Sequence, residues 1–107
     1  MATDESAPLL DLLAGMNLAG IEASSLDPET LVLVRLAALV SVDAAPVSYV
    51  LNMRMAGETE IDPADVQGML AAIAPIVGSA RVASAAGKMV RALGIELELA
   101  DLADDYA

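Results

Sequence analysis

The sequence predicts an all-α fold on three observations. Alanine and leucine, both strong helix formers, dominate a chain that is 57% hydrophobic. The β-branched residues do not alternate with polar ones, so the strand pattern is weak over most of its length. Two Asp-Pro pairs, Asp27-Pro28 and Asp62-Pro63, each precede an apolar run at helical spacing, which is how helices start.

The elements follow in order. Leu9, Leu12, Leu13 and Met16 recur at helical spacing and predict a first helix from Ala7 to about Ala19, with Gly20 as its end. Asp27 as cap, Pro28 at the first helical position and Glu29 in the first turn open a second helix that reaches about Val42. That helix is apolar on nearly every side, as a central helix is. Its exception is Arg35, for which two roles fit: a structural or snorkelling side chain with a carboxylate or carbonyl partner, or a residue of an anion-binding pocket.

Asp43-Ala44-Ala45-Pro46 reads as a break and a new start. A third helix from Pro46 to Ala56 would turn Val47, Val50 and Leu51 inward. Ser48 and Asn52 would share another face, with Tyr49 and Met53 beside them. Gly57 suits a left-handed stop. The fourth helix starts at Asp62-Pro63-Ala64-Asp65. Its stripe is Val66, Met69, Leu70, Ile73 and Val77, and Pro75 is expected to kink or end it.

A fifth helix is expected from about Ser79 to Leu93, with Val82, Ala86, Met89, Val90 and Leu93 as its apolar stripe. Ser79, Ala83 and Gly87 are small residues four apart, a spacing that admits a close neighbouring backbone. Arg81, Ser84, Lys88 and Arg91 form a separate basic face. Gly94 is expected to end this helix. In the acidic tail, residues 95–107, Ile95, Leu99, Leu102 and Tyr106 favour a short amphipathic helix over a strand. The tail's acids either meet the basic face of the fifth helix, in the same chain or a neighbour, or stay solvated. This gives a single domain of about five to six helices over 1–107, with its core in 26–93.

Composition excludes more chemistry than it supports. The 107 residues include no cysteine and no histidine, and the formal net charge is -11. Disulfides, thiol catalysis and thiolate metal sites are therefore absent, as is the commonest general base. Five basic residues against sixteen acids give no basic stripe for nucleic acid. The apolar runs are too short or too interrupted for a membrane span. The segment Met-Ala-Thr-Asp-Glu-Ser lacks the basic region of a signal peptide, so the expected location is cytoplasmic.

Most acids sit at helix starts, in turns or in the tail, so no catalytic carboxylate pair stands out. Glu58, Glu60 and Asp62 are spaced by two without a calcium-loop pattern, and no metal or other cofactor is expected. An acyl-carrier reading fails because Ser24-Ser25-Leu26-Asp27 has the attachment motif's residues in the wrong order. So much apolar surface on one small domain predicts self-association.

The order of elements resembles the carboxymuconolactone decarboxylase / alkylhydroperoxidase D-like family. The resemblance rests on Leu26-Asp27-Pro28-Glu29-Thr30 opening a long apolar helix and on Met55-Ala56-Gly57 ending the next. It continues through the acidic start at Ile61 to Val66 and the passage from Ala72 through Pro75, Gly78 and Ser79 to Arg81. It covers roughly Leu26 to Leu93. The resemblance implies an oligomeric helical bundle, a trimer or hexamer of itself.

Peroxidase members of that family carry Cys-x-x-Cys-x-x-x-His and an upstream glutamate. Counting back from Gly57, the three motif positions fall on Val42, Ala45 and Tyr49. Counting forward from Asp27, they fall on Ala44, Val47 and Leu51. The glutamate position falls near Val32. Peroxidase activity is therefore not supported, and the histidine of the decarboxylase branch is missing too.

Three functions stay open: a catalytically silent scaffold or interaction module, a binder of a small molecule in the former active-site cleft, or a non-redox lyase or isomerase. Arg35, Ser48, Tyr49 and Asn52 are the candidate ligand-binding residues. The third function would use Tyr49 with Arg35.

Overall fold

The computed structural model describes the backbone of residues 7–105 and the side chains of residues 7–94. Among the described residues it is all-helical. The helices are α1 (Pro8–Ala23), α2 (Pro28–Ser41), α3 (Pro46–Gly57), α4 (Pro63–Val77) and α5 (Ser79–Asp105). No helix in the described residues is long and apolar enough to cross a membrane.

Both Asp-Pro starts form as local chemistry requires. Asp27 Oδ1 accepts from the Thr30 amide at 2.8 Å and closes the first turn of α2. Asp62 and Asp65 cap each other's amides reciprocally, at 3.0 Å in each direction, and open α4. The Thr30 amide is also what holds the Asp27 carboxyl below its ordinary range.

The core is built from α2, α3 and α5, with α4 packed alongside. Val32, Leu36 and Val40 of α2 are buried at successive turns. Against them lie Tyr49 and Ala56 of α3, Met69 of α4, and Ala85, Met89 and Ala92 of α5. The largest interhelical contact joins α3 to α5. Two buried alanines on α5 allow that close packing, because a short side chain lets the backbones approach.

Several elements differ from expectation. On α3, Val47 is 69% exposed and Leu51 is exposed too. The inward positions are Tyr49, Asn52 and Ala56, with Met53 partly buried. These four sit at i, i+3, i+4 and i+7, so they share one face that the apolar Val47 and Leu51 do not.

On α5 the stripe is rotated in the same way. Ala85, Met89 and Ala92 are buried, whereas Ala86, Val90 and Leu93 are exposed. Ser79, Ala83 and Gly87 are exposed, and a Cβ on Gly87 would touch nothing. Within this chain, that row admits no neighbouring backbone.

Helix ends differ too. α1 continues past Gly20 to Ala23. Gly57 is helical and not left-handed, since Asp43 and Gly78 are the positive-φ residues among those described. The Thr59 hydroxyl donates to the Ala56 carbonyl just past the end of α3. α4 runs through Pro75 to Val77 and stops at Gly78, whose φ of 92° excludes further helix.

Gly94 does not end α5, whose backbone stays helical to Asp105. A helical glycine costs only about 1 kcal/mol relative to alanine, which the flanking helix formers outweigh. The predicted stripe at Ile95, Leu99, Leu102 and Tyr106 lies outside the described side chains.

Candidate functional site

The four candidate residues occupy three different settings. Arg35, on α2, is half-buried and turned toward α1. Its Nη1 donates to Asn17 Oδ1, and its Nη2 donates to the Asn17 carbonyl at 3.2 Å. The partner is thus a side-chain amide and a carbonyl. A Cβ on Gly20 would lie 3.0 Å from Nη2, so the glycine makes room for the guanidinium against the α1 backbone. Ser48 is exposed on the outer side of α3.

Tyr49 and Asn52 are buried on the inner side of α3, one turn apart. Tyr49 Oη and Asn52 Oδ1 have no hydrogen-bond partner among the described residues. Each unsatisfied buried group of this kind costs about 1–3 kcal/mol. Burial raises the Tyr49 hydroxyl above its ordinary pKa, with the Asp43 carboxylate adding to the shift.

The positions that the resemblance would align with the redox motif hold no thiol and no imidazole. Val42 is exposed, Ala45 is exposed, and Tyr49 has a buried hydroxyl. In the alternative register Val47 and Leu51 face solvent, and Val32 lies in the core. Among the described residues no three carboxylates gather to hold a metal ion.

A polar cluster lies in the α2–α3 turn. Asp43 there has a left-handed φ of 54°. Lys88 Nζ lies 2.7 Å from Asp43 Oδ1 and donates to the Asp43 carbonyl at 3.2 Å. The Ser84 hydroxyl donates to Asp43 Oδ1 at 3.1 Å, and Arg81 Nη1 donates to the Ser41 carbonyl at 2.5 Å.

Lys88 first, then Ser84, holds the Asp43 carboxyl below its ordinary range. The basic face of α5 therefore closes the C-terminal end of α2, where carbonyls lack helical donors and the dipole favours cations. The 81/84/88 spacing made the basic face readable in the sequence. Nothing local marked Asp43 as its acceptor.

Two cavities lie elsewhere. One, of about 260 Å³, is bounded by Ile21 at the end of α1, by Leu26, Leu31 and Val32, and by Met55 and Thr59. The other is an open, mainly apolar groove of about 420 Å³ between the end of α3, α4 and α5. Met53, Val66, Leu70, Val90 and Leu93 line it, with Asp62 among the lining residues. None of Arg35, Ser48, Tyr49 and Asn52 lines either cavity.

The most unusual surface belongs to α1. None of its residues is buried. Leu9, Leu10, Leu12, Leu13, Met16 and Leu18 are each between 49% and 68% exposed. Leucines exposed in that number on one helix form an apolar surface of a kind that is uncommon on a soluble monomer. No family model, curated protein or solved structure matches this chain.

Proposed function

We propose that this protein is a homo-oligomeric helical scaffold or interaction module that works without catalysis, in the cytoplasm. We read it as a divergent relative of the carboxymuconolactone decarboxylase / alkylhydroperoxidase D-like proteins. The observation that carries the proposal is α1: a leucine-rich helix with no buried residue in the isolated chain. Such a helix is stable in water only when its apolar face is covered, because helices of this length draw most of their stability from packing.

The chemistry of the chain supports the silent reading. With neither thiol nor imidazole in the sequence, no dithiol can cycle against peroxide. The Arg35 guanidinium is engaged by Asn17 of α1 and the Tyr49 hydroxyl is buried without a partner, which supports the silent reading over a lyase or isomerase using the two together. Binding of a small molecule is the second reading. It draws on the 420 Å³ groove, whose size falls in the range of ligand pockets.

Native mass spectrometry of the untagged protein at micromolar concentration tests the proposal. A trimer, a hexamer or another defined oligomer without peroxidase turnover supports it. A monodisperse monomer refutes it. A bound small molecule of defined mass, retained through buffer exchange, favours the second reading.

A further inference from the structure

We infer that α1 is a hinged lid on the cavity of about 260 Å³, and that the grip of Arg35 on Asn17 latches it shut. The inference concerns the hold of α1 on its own chain and does not rest on the oligomeric reading.

That hold is narrow. No α1 residue is buried, and the larger interhelical contacts among the described residues join α2, α3, α4 and α5 to one another. Within α1 only Asn17 and Ile21, one turn apart, are partly buried. Ile21 forms part of the cavity wall, together with Leu31 and Val32 of α2 and Met55 of α3. Asn17 takes two hydrogen bonds from one guanidinium, through its side-chain oxygen and its backbone carbonyl. Gly20 leaves the space in which that guanidinium lies.

The hinge is equally local. The Ser24 amide closes the end of α1 on the carbonyls of Gly20 and Ile21, and the Asp27 carboxylate closes the start of α2. Both helix ends are thus fixed, and a swing falls on Ser24, Ser25 and Leu26. Their own turn is held by the Leu26 amide donating to Ser24 Oγ at 3.1 Å. A few residues between rigid elements are what a hinge requires.

The latch is strong enough to matter and weak enough to open. Hydrogen bonds from a charged donor shift a two-state ratio by roughly ten- to a hundredfold. Both acceptors are neutral, so the grip is weaker than a bidentate pair with a carboxylate. Neither arginine nor asparagine titrates near neutral pH, so the latch does not answer to protons. Opening carries Ile21 out of the wall and bares Leu31, Val32 and Met55 to solvent.

Methionine oxidation reads the swing, and the chain has no cysteine to compete for oxidant. Met55 lines the cavity, whereas Met53 on the same helix lines the separate groove. Met69 and Met89 lie in the core, and Met16 is exposed on α1. Dilute hydrogen peroxide followed by peptide mass spectrometry gives the sulfoxide rate at each site. The chains compared are the unsubstituted protein, Arg35→Leu and Asn17→Ala. Asn17 lies outside the core, so its variant tests the latch whatever Arg35→Leu does to α2.

In Arg35→Leu the Met55 rate should rise about threefold or more toward that of Met16, while Met53, Met69 and Met89 keep theirs. Asn17→Ala should move Met55 the same way by less, since the backbone carbonyl still accepts. An unchanged Met55 rate in Asn17→Ala overturns the latch, even with a rise in Arg35→Leu, because the effect would then belong to Arg35 and not to its grip on Asn17. Equal acceleration at Met53, Met55, Met69 and Met89 overturns it as well, since that is loosening of the whole bundle.

Discussion

Lys88, late in the chain, closes onto Asp43 in the α2–α3 turn, its ammonium 2.7 Å from the carboxylate and 3.2 Å from the carbonyl of the same residue. One cation thus serves as ion partner to a side chain and as cap to a backbone. It also holds in place a residue with a left-handed φ, a conformation that aspartate tolerates better than most residues.

This contact sets an acid-side response. Asp43 has its carboxyl held below the ordinary value of 3.8 in the folded state. A depressed folded value means the contribution is complete above pH 3.8 and disappears as pH falls through the lower folded value. The melting-temperature difference between the wild type and Asp43→Asn should therefore be full at pH 7 and shrink to nothing in acid. A difference that is constant with pH would contradict the role of the charge.

Tyr49 sets an alkaline response of opposite sign. Its hydroxyl has a folded pKa raised above 10.0 by burial and by Asp43. Ionisation of this group therefore takes nothing from stability below pH 10, and stability falls as pH rises from there through the folded value. Tyr49→Phe also removes a buried hydroxyl that has no partner. The variant should be more stable by about 1 kcal/mol at pH 7 in urea denaturation, and more resistant to base. Destabilisation would show that the hydroxyl has a bound partner.

Gly78 and Gly68 should respond oppositely to alanine. Gly78 has φ 92° and ψ 151°, a region that residues with a Cβ rarely enter, so Gly78→Ala should cost about 1–3 kcal/mol. Gly68 is helical, and a Cβ there would meet nothing. Gly68→Ala should stabilise by about 0.5–1 kcal/mol. Chemical denaturation of both variants checks the pair, and equal signs would contradict it.

The clasp on α1 is also testable. Gly20→Ala places a methyl group 3.0 Å from Arg35 Nη2, so the guanidinium must give by a few tenths of an ångström and its contact with Asn17 loosens. Gly15→Ala meets no neighbour in the same helix. Hydrogen exchange of the α1 amides should speed up around residues 17–21 in the first variant and slow in the second. Matching changes in both would show that the Arg35 contact does not restrain α1.

Helix starts were legible in the sequence because capping is local. Asp27 and Asp62 each act on amides three residues away. The inner face of α3 was not legible. Val47 and Leu51 offered one apolar stripe, while Tyr49, Asn52, Met53 and Ala56 offered another that contained polar atoms. Only the approach of α5 decides between them, and that is a tertiary fact. Glycine signals at Gly57 and Gly94 misled for a related reason, since a helix tolerates one glycine when its neighbours favour continuation. Among the candidate site residues, Arg35 was readable as needing a partner, but Asn17, eighteen positions earlier, carries no mark of that role. The Asp43–Lys88 pair spans forty-five positions and has no short-range signature.

The closure of α2 by Arg81 and Lys88 has a consequence for the order of folding. The carbonyl of Ser41 and the carboxylate of Asp43 wait for donors that lie forty to forty-five residues downstream. During synthesis α2 and α3 emerge from the ribosome well before α5, which supplies both the cations and the facing alanines of the core. The nascent chain therefore holds the core face of α2, Val32, Leu36 and Val40, uncovered on the α5 side until the last third has been made. Long-range closure of this kind slows folding relative to a bundle of sequential hairpins. It also makes the C-terminal helix the element whose truncation would leave the remainder prone to aggregate.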